Sequence, residues 1–268
     1  MTIDAFFESL IEEYKKLNNQ QSKQAIKQIE SIKIKVFELL AKYADKDGNI
    51  PRSKNRAINR ELEAMLPDFH KEVSDAIEQV INDTTSWTTD KVIEFFAVTF
   101  GVSLIAASAK EALNKEVINN VYKHRWSNGT NLTDIQYWHA RDLLDSIRRA
   151  VNAKSKAGLS EALKEVEKAL KANRWKTENI VKSDGVNAYR ESIVENAKKS
   201  KYVEAVHITE GIHHSPKCVA LARADHYGLG EGVYPPDTSY PIDRPHPRCT
   251  SFLTYVMKPR RDGLFDDY

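Results

Sequence analysis

Cysteine is nearly missing from this chain, which has two among 268 residues. So small a supply cannot staple a chain of this length, which excludes a disulfide scaffold. The opening residues Met1, Thr2, Ile3 and Asp4 lack the basic-then-apolar run of a signal peptide, so an intracellular product is expected. No apolar run reaches the ~20 residues that a membrane span requires. The longest, Phe95 to Ala109, is interrupted by Thr99, Gly101, Ser103 and Ser108 and bounded by Glu94 and Lys110; it reads as a buried core helix, and no membrane partner is expected. An excess of one charge is also lacking. With 40 basic and 38 acidic residues the net charge is +2, too small to argue for nucleic acid or membrane from the total.

What is present is unevenly placed. Residues 1–120 carry 16 basic and 19 acidic side chains, 121–182 carry 13 and 7, and 183–268 carry 11 and 12, so a middle stretch of +6 lies between flanks of −3 and −1. Seven of the nine prolines, five of the eight histidines and both cysteines follow Tyr202. These shifts divide the chain into an N-terminal helical region (1–86), a helical middle (87–202, basic over 121–182), a small α+β Cys/His module (203–257) and a charged tail (258–268).

Periodicity sets the fold class, which is mainly α. Ile3, Phe6, Phe7, Leu10, Tyr14 and Leu17 recur at three- and four-residue steps behind a capping Thr2, and the stripe resumes from Ile26 to Tyr43. The pair predicts a helical hairpin. A turn at Asp47, Gly48, Asn49 and Pro51 follows; it imitates the start of a calcium loop, but Ile50 and Arg56 stand where Gly and a bidentate carboxylate are needed. Phe69 to Ile81 predicts another helix, a Thr/Ser cluster over 83–90 a separator, and the residues onward to Tyr122 a long helical run. Thr133 is placed to cap a helix carrying Trp138, Leu143 and Ile147, Gly158 closes it, Ser160 caps the next, and a further helix starts near Trp175. After Tyr202 the period becomes two. Residues 203–209 and Phe252 to Val256 read as strands, with a helix at Cys218 to Ala224 and a Gly/Pro loop from Tyr227 to Pro247 between them.

Two features carry chemistry. The first is the basic middle, where Arg141, Arg148, Arg149, Lys154 and Lys156 are candidate DNA contacts; the plainer reading is a solvated helix face, with Glu167 placed to pair Lys171. The second is His213, His214 and Cys218 with His246 and Cys249. His214 with Cys218 and His246 with Cys249 are spaced to converge, so the four residues offer a tetrahedral zinc site. A Cys218–Cys249 disulfide, two buried thiols and a Cys/His catalytic pair remain as other readings of the same residues. No catalytic residues are assigned and no enzyme activity is expected. The rival is a metal-dependent nuclease using His213, His214 and His246 with Asp225 or Asp243. A non-enzymatic DNA-binding accessory protein is the third reading.

The C-terminal residues also carry a family likeness. Cys218-Val-Ala-Leu, then Gly228, Gly230 and Gly232, then Pro235-Pro236 and His246-Pro247-Arg248-Cys249 resemble the end of the Mu F-like minor head (head-morphogenesis) proteins of tailed bacteriophages. Upstream, Trp126 to Asp134, Gly158-Leu159-Ser160, and Ile180 to Asp184 leading to Ala188-Tyr189 resemble family segments in the same order. Ser215 stands at the first cysteine of the family's CxxC, and Ser251 at its last cysteine. The resemblance implies a non-enzymatic virion protein made in the host cytoplasm and housed in the capsid interior or portal region. It would act in head morphogenesis with the portal protein and other head or scaffolding proteins as partners, and contact or accompany the packaged DNA during ejection.

Overall fold

The computed structural model describes residues 2–101, 109–125, 129–154, 157–210, 215–238 and 251–258. The fold is mainly α, with a small three-stranded antiparallel sheet near the C-terminus. The helices are α1 (Ile3–Glu30), α2 (Ile32–Tyr43), α3 (Asn55–Ala64), α4 (Leu66–Phe100), α5 (Lys110–Lys123), α6 (Leu132–Lys154), α7 (Leu159–Lys199) and α8 (Pro216–Arg223). The strands are β1 (Val203–Ile208), β2 (Val233–Tyr234) and β3 (Leu253–Met257), in the order β2-β1-β3. No described helix is long and apolar enough to cross a membrane.

Several helices are longer than the sequence pattern predicts. The hairpin expected from residues 3–43 does not turn at 18–25; α1 runs through to Glu30 and the break falls at Ser31. Asn18, Gln21 and Ser22 are buried, and the Asn18 amide donates to the Lys182 carbonyl at 3.3 Å, so these polar residues serve contacts rather than a turn. The Thr/Ser cluster over 83–90 is no separator either. It lies within the 35-residue α4, where Thr84, Thr85, Thr88 and Thr89 form one buried face. The run expected to reach Tyr122 instead stops at Phe100, because Gly101 adopts a positive φ of 60°, and α5 begins afresh at Lys110. Helix α6 is capped by Asn131 rather than Thr133. The Asn131 side chain accepts the Asp134 N–H at 3.0 Å and the Asp134 carboxylate accepts the Asn131 N–H at 2.9 Å, a reciprocal capping box. The helices predicted from Ser160 and from Trp175 are one helix, the 41-residue α7.

Two compact units are each assembled from separated stretches: unit 1 from Met1–Gln20, Val80–Lys123 and Lys182–Tyr268, unit 2 from Gln21–Gln79 and His124–Val181. The regions drawn from composition run in chain order. The units do not, since their boundaries fall inside α1, α4 and α7.

Unit 2 is built on an aliphatic interior, including Ile29, Ile32, Val36, Leu40, Ile58, Leu62, Val73, Leu144, Ile147 and Val166. Its helices are also tied by polar links: Arg174 to Glu30, Lys176 to Asp142 at 3.0 Å, and the Leu159 N–H to the Gly48 carbonyl at 2.8 Å. Asp45 holds the turn before α3 by accepting the N–H groups of Asp47 and Asn49, as a plain Asx turn does.

Unit 1 has an aromatic interior. Phe6 stacks on Phe95 with centroids 3.9 Å apart, Phe7 meets the edge of Tyr255 at 5.0 Å, and Tyr14 lies against Tyr189 at 4.8 Å. The apolar face of the sheet (Val203, Val206, Ile208, Leu253, Tyr255) closes over these rings. Burial of this much aromatic and aliphatic surface supplies the main stabilising term, at about 25 cal/mol per Å².

Candidate functional site

The C-terminal module begins where the residue pattern changes from period 3.6 to period 2. β1 pairs antiparallel with β2 through Val206 and Tyr234, and with β3 through Val206 and Tyr255, with an irregularity between Val203 and Ala205. The two-residue β2 lies inside the stretch expected to be loop. Its signal is slight, a Val-Tyr pair between Gly232 and Pro235. The Tyr234 hydroxyl donates to the Leu221 carbonyl at 2.6 Å and the Tyr255 hydroxyl to the Ile193 carbonyl at 2.9 Å, tying the sheet to α8 and to α7. Gly232 makes the tightest approach. At φ +69° a Cβ there would stand 2.6 Å from the Ala222 carbonyl oxygen, so only glycine fits between α8 and β2.

Cys218 sits on α8, 1% exposed, inside this module. The other members of the zinc set, His214, His246 and Cys249, lie outside the described residues, as do His213 and Asp243 of the nuclease reading. Among the described residues no group of three or more His, Cys, Asp or Glu is placed to hold a metal ion. Asp225 is engaged in its own loop, accepting the Leu229 N–H at 3.0 Å. His226 packs its ring against Tyr234, centroids 6.2 Å apart. His207 on β1 is half-buried, and that burial lowers its pKa against a smaller opposing effect of Asp4.

The basic middle separates into two kinds of residue. Arg141 and Arg148, two turns apart on α6, both reach Glu63 of α3, Arg148 at 2.8 Å, and both lie near Asp145. They cross-link helices within unit 2. Arg149 and Lys154 are on the outside of α6, with Arg149 donating to the Ser146 hydroxyl at 3.2 Å; Lys156 lies outside the described residues. On α7 the charges are locally paired, Lys164 with Glu161 and Lys168 with Glu165, while Lys171 is exposed. A groove of about 550 Å³ opens at the start of α7, lined by Asp47, Asn49, Leu159, Leu163, Lys164 and Glu167 among others.

No family model, no curated protein and no solved structure matches this chain.

One group of residues gives no sign of itself in the sequence. From Ala188 to Ala197 every residue of α7 is buried, so three turns are covered on all sides, and five of the ten are polar: Arg190, Glu191, Ser192, Glu195 and Asn196. The Ser192 hydroxyl donates to the Ala188 carbonyl at 2.7 Å and the Asn196 amide to the Ser192 carbonyl at 2.8 Å, so part of this polarity is satisfied along the helix itself. Asn196 also reaches Thr89 of α4 at 3.4 Å. Glu195 accepts from Lys198 at 2.6 Å and from Asn120 of α5 at 3.4 Å. In sequence these five residues look like the solvent face of an amphipathic helix. Only the cover supplied by the other elements of unit 1 makes them interior.

Proposed function

We propose that this chain is a minor head protein of a tailed bacteriophage, a non-enzymatic virion component acting in head morphogenesis at the portal. What supports the reading is the arrangement of the resembling segments. Gly158-Leu159-Ser160 opens α7, Ile180 to Asp184 and Ala188-Tyr189 follow on the same helix, and Cys218 lies on α8 of the module that comes directly after it. The likeness therefore follows one continuous run of elements, a long helix and the small sheet module next to it. In this reading the exposed residues of the C-terminal module form an assembly surface for the portal protein and other head or scaffolding proteins, in the capsid interior. The outward charges Arg149 and Lys154 are the contacts to packaged DNA.

Co-expression with the portal protein of the same phage tests the proposal. Co-purification of the two chains, with peptides of this chain in purified proheads, is the expected result. Failure to associate together with absence from proheads and virions rejects it.

A further inference from the structure

The buried turns of α7 face α5 across a cluster of charges that the proposed function does not use. Glu191 and Glu195 are one turn apart on α7, 3% and 1% exposed. One oxygen of Glu195 is held by Lys198 and Asn120, while Oε2 is buried with no hydrogen-bond partner. Asn120 also lies close enough to the Glu191 carboxyl to favour its charged form. One turn before Asn120 on α5 stands Glu116, 3.1 Å from Lys199. α4 offers this part of α7 an uncharged side, with Thr89 against Asn196. Glu116 and Lys199 form an exposed pair at the edge of the cluster, and inside it Glu191 and Glu195 share the single ammonium group of Lys198, while Arg190, buried one position before Glu191, is not among the charges acting on it. One proton on a carboxyl balances the cluster. The cation acting on Glu191, Lys198, is bonded to Glu195, and Lys199 is held by Glu116, so no ion pair reaches Glu191 among the described residues, and an incompletely compensated charge at a buried site is strongly disfavoured.

We propose that Glu191 is a proton-operated latch between α5 and α7: protonated, it leaves the cluster neutral and α5 held; ionised, it places an unbalanced charge under α5 and eases that helix away. Burial, reinforced by the Glu195 charge and opposed by Asn120, lifts the Glu191 carboxyl to about 7. Once α5 opens, the group returns to the ordinary carboxylate range. The closed state therefore binds the extra proton between those two values. Closure is favoured at acid pH, weakens as pH rises toward 7, and changes little above it.

The experiment is amide hydrogen exchange of residues 110–123 in the full chain from pH 5 to 8, corrected for the intrinsic rate, with peptides from residues 80–96 of α4 as reference. Opening of α5 should rise by up to about tenfold per pH unit between pH 5 and 7 and then level off, as release of one proton requires. In E191Q the rise should vanish and α5 should stay protected. A wild-type α5 whose opening does not change with pH overturns the latch, and so does an E191Q chain that keeps the full rise. Should E191Q fail to fold, carboxyl carbon titration of the wild type decides: one glutamate with a midpoint near 7 supports the latch, and every glutamate titrating below 5 overturns it.

Discussion

His139 shows what burial does to one side chain. It lies inside unit 2 on α6 with Nε2 2.8 Å from the Thr177 hydroxyl of α7. Burial, partly offset by Asp142 and assisted by Lys176, lowers its pKa to about 4. An unfolded histidine titrates near 6.5, so the folded chain binds fewer protons between these values. The stability it contributes is complete above about 6.5 and is lost as pH falls toward 4, by up to ~1.4 kcal/mol per pH unit. The Glu191 carboxyl, raised to about 7, acts in the opposite sense over the same range, so the check is a difference: His139→Gln, which keeps a hydrogen-bonding side chain but cannot gain a charge, should have a urea midpoint that rises relative to that of the unsubstituted chain as pH is lowered from 7 to 5. Gly232 is the other sensitive position. An alanine there meets both a positive φ and the Ala222 carbonyl, so Gly232→Ala should destabilise by about 2–3 kcal/mol, read as a lower denaturation midpoint, whereas Gly228→Ala meets no atom within 4 Å and should cost less.

At the scale of elements, α7 is the sharpest test, because the sequence pattern predicts a break before Trp175 and the structure has none. Proline at Lys171 removes an interior hydrogen bond and clashes with the preceding turn. Lys171→Pro should therefore cost about 3 kcal/mol in thermal or chemical unfolding, and a cost near zero would restore the two-helix pattern. Helices are legible in the sequence wherever one face is apolar and the other wet, as in α2 and α6, and β1, β3 and α8 are legible from their period and β-branched content. Helix ends are less so. Over 18–25 and 83–90 the polar residues that mark turns at a surface are buried on helix faces, and local pattern cannot tell those two fates apart. The candidate metal residues are legible as a spacing. The buried set on α7 is not, since its cover comes from residues far away in sequence.

At the scale of the molecule, the +6 middle is less available than its arithmetic suggests. Arg141 and Arg148 hold Glu63, while Arg149, Lys154 and Lys171 are among the charges turned outward. If the chain binds DNA, exchanging Arg149 and Lys154 together for alanine should lower the slope of log affinity against log salt by about 2, near 0.9 for each phosphate no longer neutralised. Arg141→Ala should leave that slope unchanged and lower the unfolding midpoint instead. Filter-binding titrations over a salt series, beside melting curves, separate the two roles. The fully covered turns of α7 have one more consequence, for synthesis. The aromatic residues of α1 emerge from the ribosome early, yet their final partners Tyr189, Phe252 and Tyr255 are among the later residues to be made. Unit 1 therefore has long-range contacts that cannot form until translation has passed β3. Phe6 and Phe95 can stack as soon as α4 is made, but Phe7 and Tyr14 must wait for these late partners, so unit 1 is expected to complete its folding slowly.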